Sequence, residues 1–484
     1  MTRKILLLGL LGLLAACGKQ PDDGPVAVSV IGEGLPTLAN PDRRALTPAE
    51  AVLIGATAQG LVRFDATGQI EPGLAIRWDV SDDGIYYDFR TAEESAIDAE
   101  RTARAFRATM APASRNALKF LFGAVDEVVA VTPEVVEFRL RAPRPNMLQL
   151  LAQPELALFD KRREGTGPFH VAHRTKHMLL LAPVPGPEIE DLDEAERERR
   201  EVQLRGEPAA LAVARFEAGK AALVLGGTFA NLGVARAANL PANALRFDPV
   251  MGLFGLEIAS TKRFAGTAEN RRALSMAIDR DAIVRAFGAP PGWRIAETLV
   301  PGPLADLPTP ASPDFIATNI AIRRALARES VATWVTREGS APRVRVALPP
   351  GPGARLLFTL LRLDWRSVGI EAEAVAPDAD ADLRLVDEVA PIDGAAWYLR
   401  QFTCARQPAC SEDADVQLNA ARNAAKPAER ARLLALADTR FAQITPFIPI
   451  ATPLRWSLVA QRLGGFQENA RGIHPLNHLR RPVR

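Results

Sequence analysis

The stretch LRLVDEVAPIDGAAWYLRQF (383–402) gathers three carboxylates, Asp387, Glu388 and Asp393, beside Trp397, Tyr398 and Arg400. Acids clustered next to amphipathic rings have the composition of a small-ligand pocket, in which rings supply contact area and acids hold a cationic head. The same residues fit a second arrangement. Trp397 and Tyr398 could open a helix whose rings pack in the core while the acids face water. If the acids face a cleft, Asp387 and Glu388 together favour an amine-bearing ligand.

Other constellations are weaker. His170, His173 and His177 lie in HVAHRTKH, a spacing that suits a metal only on a helix, where residues four apart share a face. The segment follows GTGPF and reads as a strand, on which His170 and His173 point to opposite faces. They are read as exposed polar residues, and so are His474 and His478, whose neighbour Pro475 argues against a helix. Asp378, Asp380 and Asp382 lack the glutamate that closes a calcium loop and are read as a turn. There is no phosphate loop ending in Gly-Lys-Ser/Thr, no GxGxxG after a strand and no G-x-S-x-G elbow. No covalent chemistry, cofactor or metal is expected.

The elements that must position these residues are mixed. VAVSVI (26–31) reads as a strand. Residues 48–61 read as a helix with Pro48 in its first turn. LVRFDATGQI, WDVSDDGIYYDFR and VDEVVAVTPEVVEFRLR each place a turn signal between strand-like runs. Asp98 can cap a helix running to about Met110. Residues 208–219 and 427–444 carry helical periodicity, and 267–287 carries it best, with Gly288 as the stop. RVRVALPP, a helix over 354–368 and GIEAEAV form a βαβ-like unit. The five prolines of 299–313 mark a loop.

The N-terminal stretch adds a location. Thr2-Arg3-Lys4, an apolar run over 5–14 and the small residues before Cys17 read as a secretory signal. The run is too short to cross a bilayer core of about 30 Å. Leu14-Ala15-Ala16-Cys17 resembles the bacterial lipobox, whose cysteine is acylated; the alternative is an ordinary cleaved signal in which Cys17 is incidental. The polar residues up to Pro25 suit a flexible tether. Cys404 and Cys410 could close a disulfide loop in an oxidising compartment, or remain free thiols. With 484 residues, 59 Lys+Arg against 57 Asp+Glu and no basic cluster interleaved with aromatics, the chain fits two or three lobes and no nucleic-acid partner.

Five motifs in order carry a resemblance. GLVRFDATGQIEPGLAIRWDVSDDGIYYDFR (60–90), GTGPF (165–169), RRALSMAIDRDAIV (271–284), SVGIEAEAV (367–375) and ITPFIPIATP followed by LGGF are similar to segments of the peptide/nickel class of substrate-binding proteins that serve ABC importers. The resemblance implies an α/β, two-lobed periplasmic-binding-protein-like fold (type II) with an extra β-rich subdomain in the first lobe. The expected division is signal 1–16, tether 17–25, first lobe 26–255 with 60–160 as the subdomain, second lobe 256–457, and a return to the first lobe over 458–484. The implied function is capture of a peptide or similar small solute, amine-bearing if the acids face the cleft, and delivery to an ABC importer permease. The protein would act as a monomer, tied to the membrane by its lipid alone. Where peptide-binding members carry Gly-Trp ahead of the aspartate that holds the ligand amine, this chain has Asp387 and Glu388. A sensor or chaperone-like lipoprotein that kept the fold and lost transport is the alternative.

Overall fold

The computed structural model describes residues 24–93, 95–160, 165–288 and 292–480. Cys17 and the leader lie outside the described residues. The chain enters as β1 (Val26–Ile31). The helix Pro48–Thr57 follows, opened by a capping box in which the Thr47 hydroxyl accepts from the Glu50 N–H and the Glu50 carboxylate accepts from the Thr47 N–H. Three hairpins come next: β2 (Val62–Phe64) with β3 (Ile70–Pro72), β4 (Ala75–Val80) with β5 (Tyr86–Thr91), and β6 (Val125–Thr132) with β7 (Val135–Leu140). The Asp98-capped helix Ala99–Met110 lies between the last two. Then come β8 (Phe169–Arg174), β9 (Leu179–Pro183), β10 (Val202–Glu207), β11 (Leu223–Thr228) and β12 (Leu245–Asp248). The rest of the chain supplies β13 (Gly252–Ile258), β14 (Arg343–Ala347), β15 (Glu371–Val375), β16 (Leu383–Val389), β17 (Phe447–Ala451) and β18 (Arg455–Val459).

Two sheets organise two lobes. The first has the order β12-β18-β11-β1-β10-β9-β8, and the second β15-β14-β16-β13-β17. β1 lies between parallel β10 and β11, which is why VAVSVI is almost wholly apolar: a strand covered on both faces has no solvent side. The chain passes between the sheets at 248–252 and again at 451–455. Boundaries after 255 and 457 would therefore cut β13 and β18, each of which belongs to one sheet along its whole length. A separate four-stranded sheet, β4-β5-β7-β6, sits on the first lobe. Its core is continuous with the second lobe: Phe106, Phe122 and Phe138 share one buried cluster with Trp397, Phe402 and Phe441.

Tertiary contacts reshape two expected helices. The helix expected over 48–61 stops at Thr57, because Ala58–Gly60 turn extended and Gln59 bridges Leu158. Here the GTGPF segment runs against the same backbone; a Cβ on Gly165 or Gly167 would collide with Thr57, so only glycine fits. The helix expected over 267–287 is two, Ala268–Ala277 and Arg280–Ala286. At the break, Asp279 caps the second helix at 2.8 Å from the Ala282 N–H, and its own N–H goes to Asp364. Arg280, 3% exposed, turns inward and donates to the carbonyls of Ala296, Pro449 and Ser275. That strap needs the kink. Two helices, Ile320–Glu338 and Glu412–Asn423, have no counterpart in the sequence reading.

Candidate functional site

Between the lobes lies a cavity of about 1040 Å³, the volume of a pocket for a small organic solute or short peptide. One wall comes from the first lobe's extra subdomain, with Phe120, Phe122 and Gln153. The facing wall comes from the second lobe, with Glu388, Trp397, Arg400 and Arg422, and Arg455 lies at the crossing. A smaller recess of about 380 Å³ adjoins it beside the first helix and the crossings, sharing Ala51, Gln153, Pro154, Arg455 and Ile473 with the larger cavity.

The six residues singled out from 383–402 do not act as one group. Asp387 and Glu388 are neighbours on β16, so they point to opposite faces. Glu388 borders the large cavity and Asp387 the small one. The expectation of an acidic pair gripping an amine is corrected on two counts. The carboxylates diverge, and Asp387 is already neutralised by Arg455 at 2.7 Å. Burial pushes both carboxyls above the usual range, with Arg455 opposing it at Asp387 and Arg406 at Glu388. Trp397 borders the large cavity while 3% exposed. Tyr398, 1% exposed, is a core residue packed edge-on to Trp397 with centroids 4.7 Å apart. The inward-packing alternative describes Tyr398; Trp397 is both core and wall.

Asp393 serves the lobe contact instead. Its carboxylate accepts from Gln149 at 2.9 Å and pairs with Arg471. Its N–H donates to Gln149 at 2.9 Å and its carbonyl accepts from Asn146 at 2.6 Å. Burial pushes its carboxyl up, and the bonds from Arg471 and Gln149 outweigh this and hold it below the usual range. Gln153 donates to the Pro391 carbonyl at 2.7 Å, and Arg144 donates to that of Arg422. Together these bonds latch the subdomain onto the second lobe.

Arg400 borders the cavity, and three more guanidiniums that the sequence reading missed, those of Arg144, Arg422 and Arg430, are close enough to perturb it or one another. Burial first, then Arg422 and Arg430, bring Arg400 down to about 10; burial first, then Arg430 and Arg400, bring Arg144 down to about 9. Both remain charged at neutral pH. Arg406 also borders the cavity, its guanidinium 5.1 Å from the Phe120 ring centroid. It sits in the loop closed by the Cys404–Cys410 disulfide, whose Cα atoms are 4.9 Å apart. That cysteine pair was the one signal in the sequence for Arg406; Arg422, in a polar helix face, offered none.

His170, His173 and His177 are exposed, as read, but His474 and His478 need a correction. His474 is buried against the first crossing: its Nε2 lies 3.0 Å from the Asp248 carboxylate and its ring stacks on Phe466. His478 lies 3.1 Å from Glu71. Both are structural partners rather than exposed residues, because the C-terminal segment folds back over the first crossing and the β2–β3 hairpin. Among the described residues no group of three or more His, Cys, Asp or Glu could hold a metal, and no helix is long and apolar enough to cross a membrane.

Comparison with known proteins agrees with this architecture. The profile of the bacterial extracellular solute-binding proteins, family 5 Middle, matches residues 69–399. Haemophilus influenzae OppA in complex with RPPGFSPFR superposes with a TM-score of 0.79 at 14% identity, covering 94% of this chain and 99% of that one. The Escherichia coli murein tripeptide binding protein MppA gives 0.78 at 16%, covering 95% and 99%. NikZ from Campylobacter jejuni in complex with Ni(L-His) gives 0.72 at 18%, covering 96% and 100%. At these identities the likeness shows the two-lobed fold of periplasmic binding proteins. No curated protein matches in sequence.

Proposed function

Because this chain belongs to the family 5 bacterial extracellular solute-binding proteins, whose members serve ABC transporters as binding proteins rather than enzymes, we propose that it captures a peptide or similar small solute between its lobes and delivers it to an ABC importer. Glu388, Trp397 and Arg400 would contact that solute. Acylation at Cys17 would tie the protein to a membrane outside the cytoplasm, as a monomer.

The observation that carries this reading is the cavity of about 1040 Å³ lying between two lobes joined, among the described residues, by two crossings. Two connections of a few residues allow hinge closure, which buries a guest and removes it from water. A volume of that size suits a short peptide, and RPPGFSPFR and Ni(L-His) occupy relatives of the same fold. Native mass spectrometry of the protein purified from its own host tests capture: a co-purifying small molecule is expected. Mass analysis of the mature N-terminus tests the anchor; a diacylglyceryl adduct on Cys17 is expected, and an unmodified cysteine would refute it.

A further inference from the structure

We propose that the interlobe cavity is an anion receptor: its solute carries at least two acidic groups, carboxylate or phosphate, gripped by the guanidiniums of Arg400 and Arg422. This rests on the capture reading and names the class of solute.

The wall holds seven Arg or Lys side chains against two carboxylates, Glu155 and Glu388. Burial raises the pKa of both glutamates. Several of the cations are already engaged. Arg455 pairs with Asp387, Arg471 with Asp393, and Lys119 donates to the carbonyls of Pro112 and Ser114.

Arg400 and Arg422 are not. Neither side chain has an ion-pair or hydrogen-bond partner among the described residues, and the Arg422 Nε is fully buried without an acceptor. Arg144 adds a further positive charge close enough to perturb them, while Arg430, also near, is paired with an acid. Of the carboxylates near this group, Asp306 is bound to Arg430 at 3.1 Å. Asp415 accepts the Cys404 N–H at 3.0 Å through one oxygen, its other oxygen is buried without a partner, and it favours the charged form of Arg400 without forming an ion pair with it. Half-buried cations that repel one another and lack acceptors are costly. A guest with two acid groups relieves this directly, because a guanidinium offers paired N–H donors that match a carboxylate or phosphate. A cationic guest would add to the repulsion.

The test is calorimetric titration of the mature chain, stripped of solute by unfolding and refolding and checked by near-UV circular dichroism, at constant ionic strength. The probes are citrate, pyrophosphate and trilysine. Saturable binding of citrate or pyrophosphate is expected, weakened at least tenfold by Arg400→Gln with Arg422→Gln and partly kept by the paired Lys substitutions. The single Gln variants serve if the double variant does not fold. Preference for citrate assigns a carboxylate guest, and preference for pyrophosphate a phosphate guest. Absence of saturable anion binding, anion binding that the Gln variants retain, or tighter binding of trilysine would each overturn the proposal. A neutral or cationic solute co-purifying from the host overturns it and leaves capture standing. A chain that carries no solute and binds nothing from a host extract overturns both.

Discussion

At the scale of single residues, the buried acids have opposite pH signatures. Asp438, 0% exposed, accepts the Ala311 N–H at 2.6 Å through one oxygen, and its other oxygen has no partner. Burial raises its pKa to about 6. The folded chain therefore holds this proton more tightly than the unfolded one, and stability falls as pH rises from the ordinary aspartate value through 6. Asp438→Asn should raise unfolding stability at pH 7.5 by up to about 3 kcal/mol and leave it nearly unchanged at pH 3. Denaturant titrations at both values check this, and equal differences at the two pH values would contradict it. Glu50 behaves the other way. The Arg44 guanidinium, with help from Thr47 and Thr37, holds its carboxyl at about 2. Its contribution is present above the ordinary glutamate value and is lost as pH falls toward 2. Glu50→Gln should cost about 1 kcal/mol at pH 7, with the gap narrowing in acid.

At the scale of elements, the lobe contact and the disulfide loop make separate predictions. Asp393→Ala removes the acceptor for Gln149 and Arg471. It should loosen the latch, seen as a larger radius of gyration in the solute-free protein and a faster solute off-rate, while the unfolding midpoint moves little. Cys404→Ser with Cys410→Ser opens a loop of sequence separation 6. It should cost roughly 2 kcal/mol and weaken solute binding through the freed Arg406; unchanged binding would deny that loop a place in the wall. What was legible in the chain at this scale was local. The hairpins at Asp65–Gly68 and Asp82–Gly84, the Asp98 cap and the helix Pro427–Ile444 follow from turn chemistry, capping and period. The misreadings were tertiary. The kink at Asp279 exists for the buried Arg280 strap, and the helix Ile320–Glu338 buries few residues, Ala327 and Val331 among them, so its apolar stripe is faint. At the cavity, the segment around Trp397 contributes Glu388, Trp397 and Arg400 to the wall. Which faces Asp387 and Glu388 take depended on their strand, and the arginines near them come from distant stretches of chain, Arg455 from β18 and Arg406 from the disulfide loop.

At the scale of the whole molecule, two sheets are joined at 248–252 and 451–455, and a subdomain bridges to the far lobe; in the proposed function the crossings serve as a hinge and the bridge as a clasp. Hinge closure over a guest converts binding energy into a change of shape that a permease can read. His474 and Asp248 brace one crossing, so His474→Ala should alter the balance between open and closed forms more than it alters the solute contacts. The central claim, that a guest occupying the cavity holds the lobes shut, is tested most directly by small-angle scattering on the protein before and after its solute is removed. The radius of gyration should rise on removal and return to its starting value when the released solute is added back. A radius that stays the same through that cycle, with a solute demonstrably lost and regained, would contradict it.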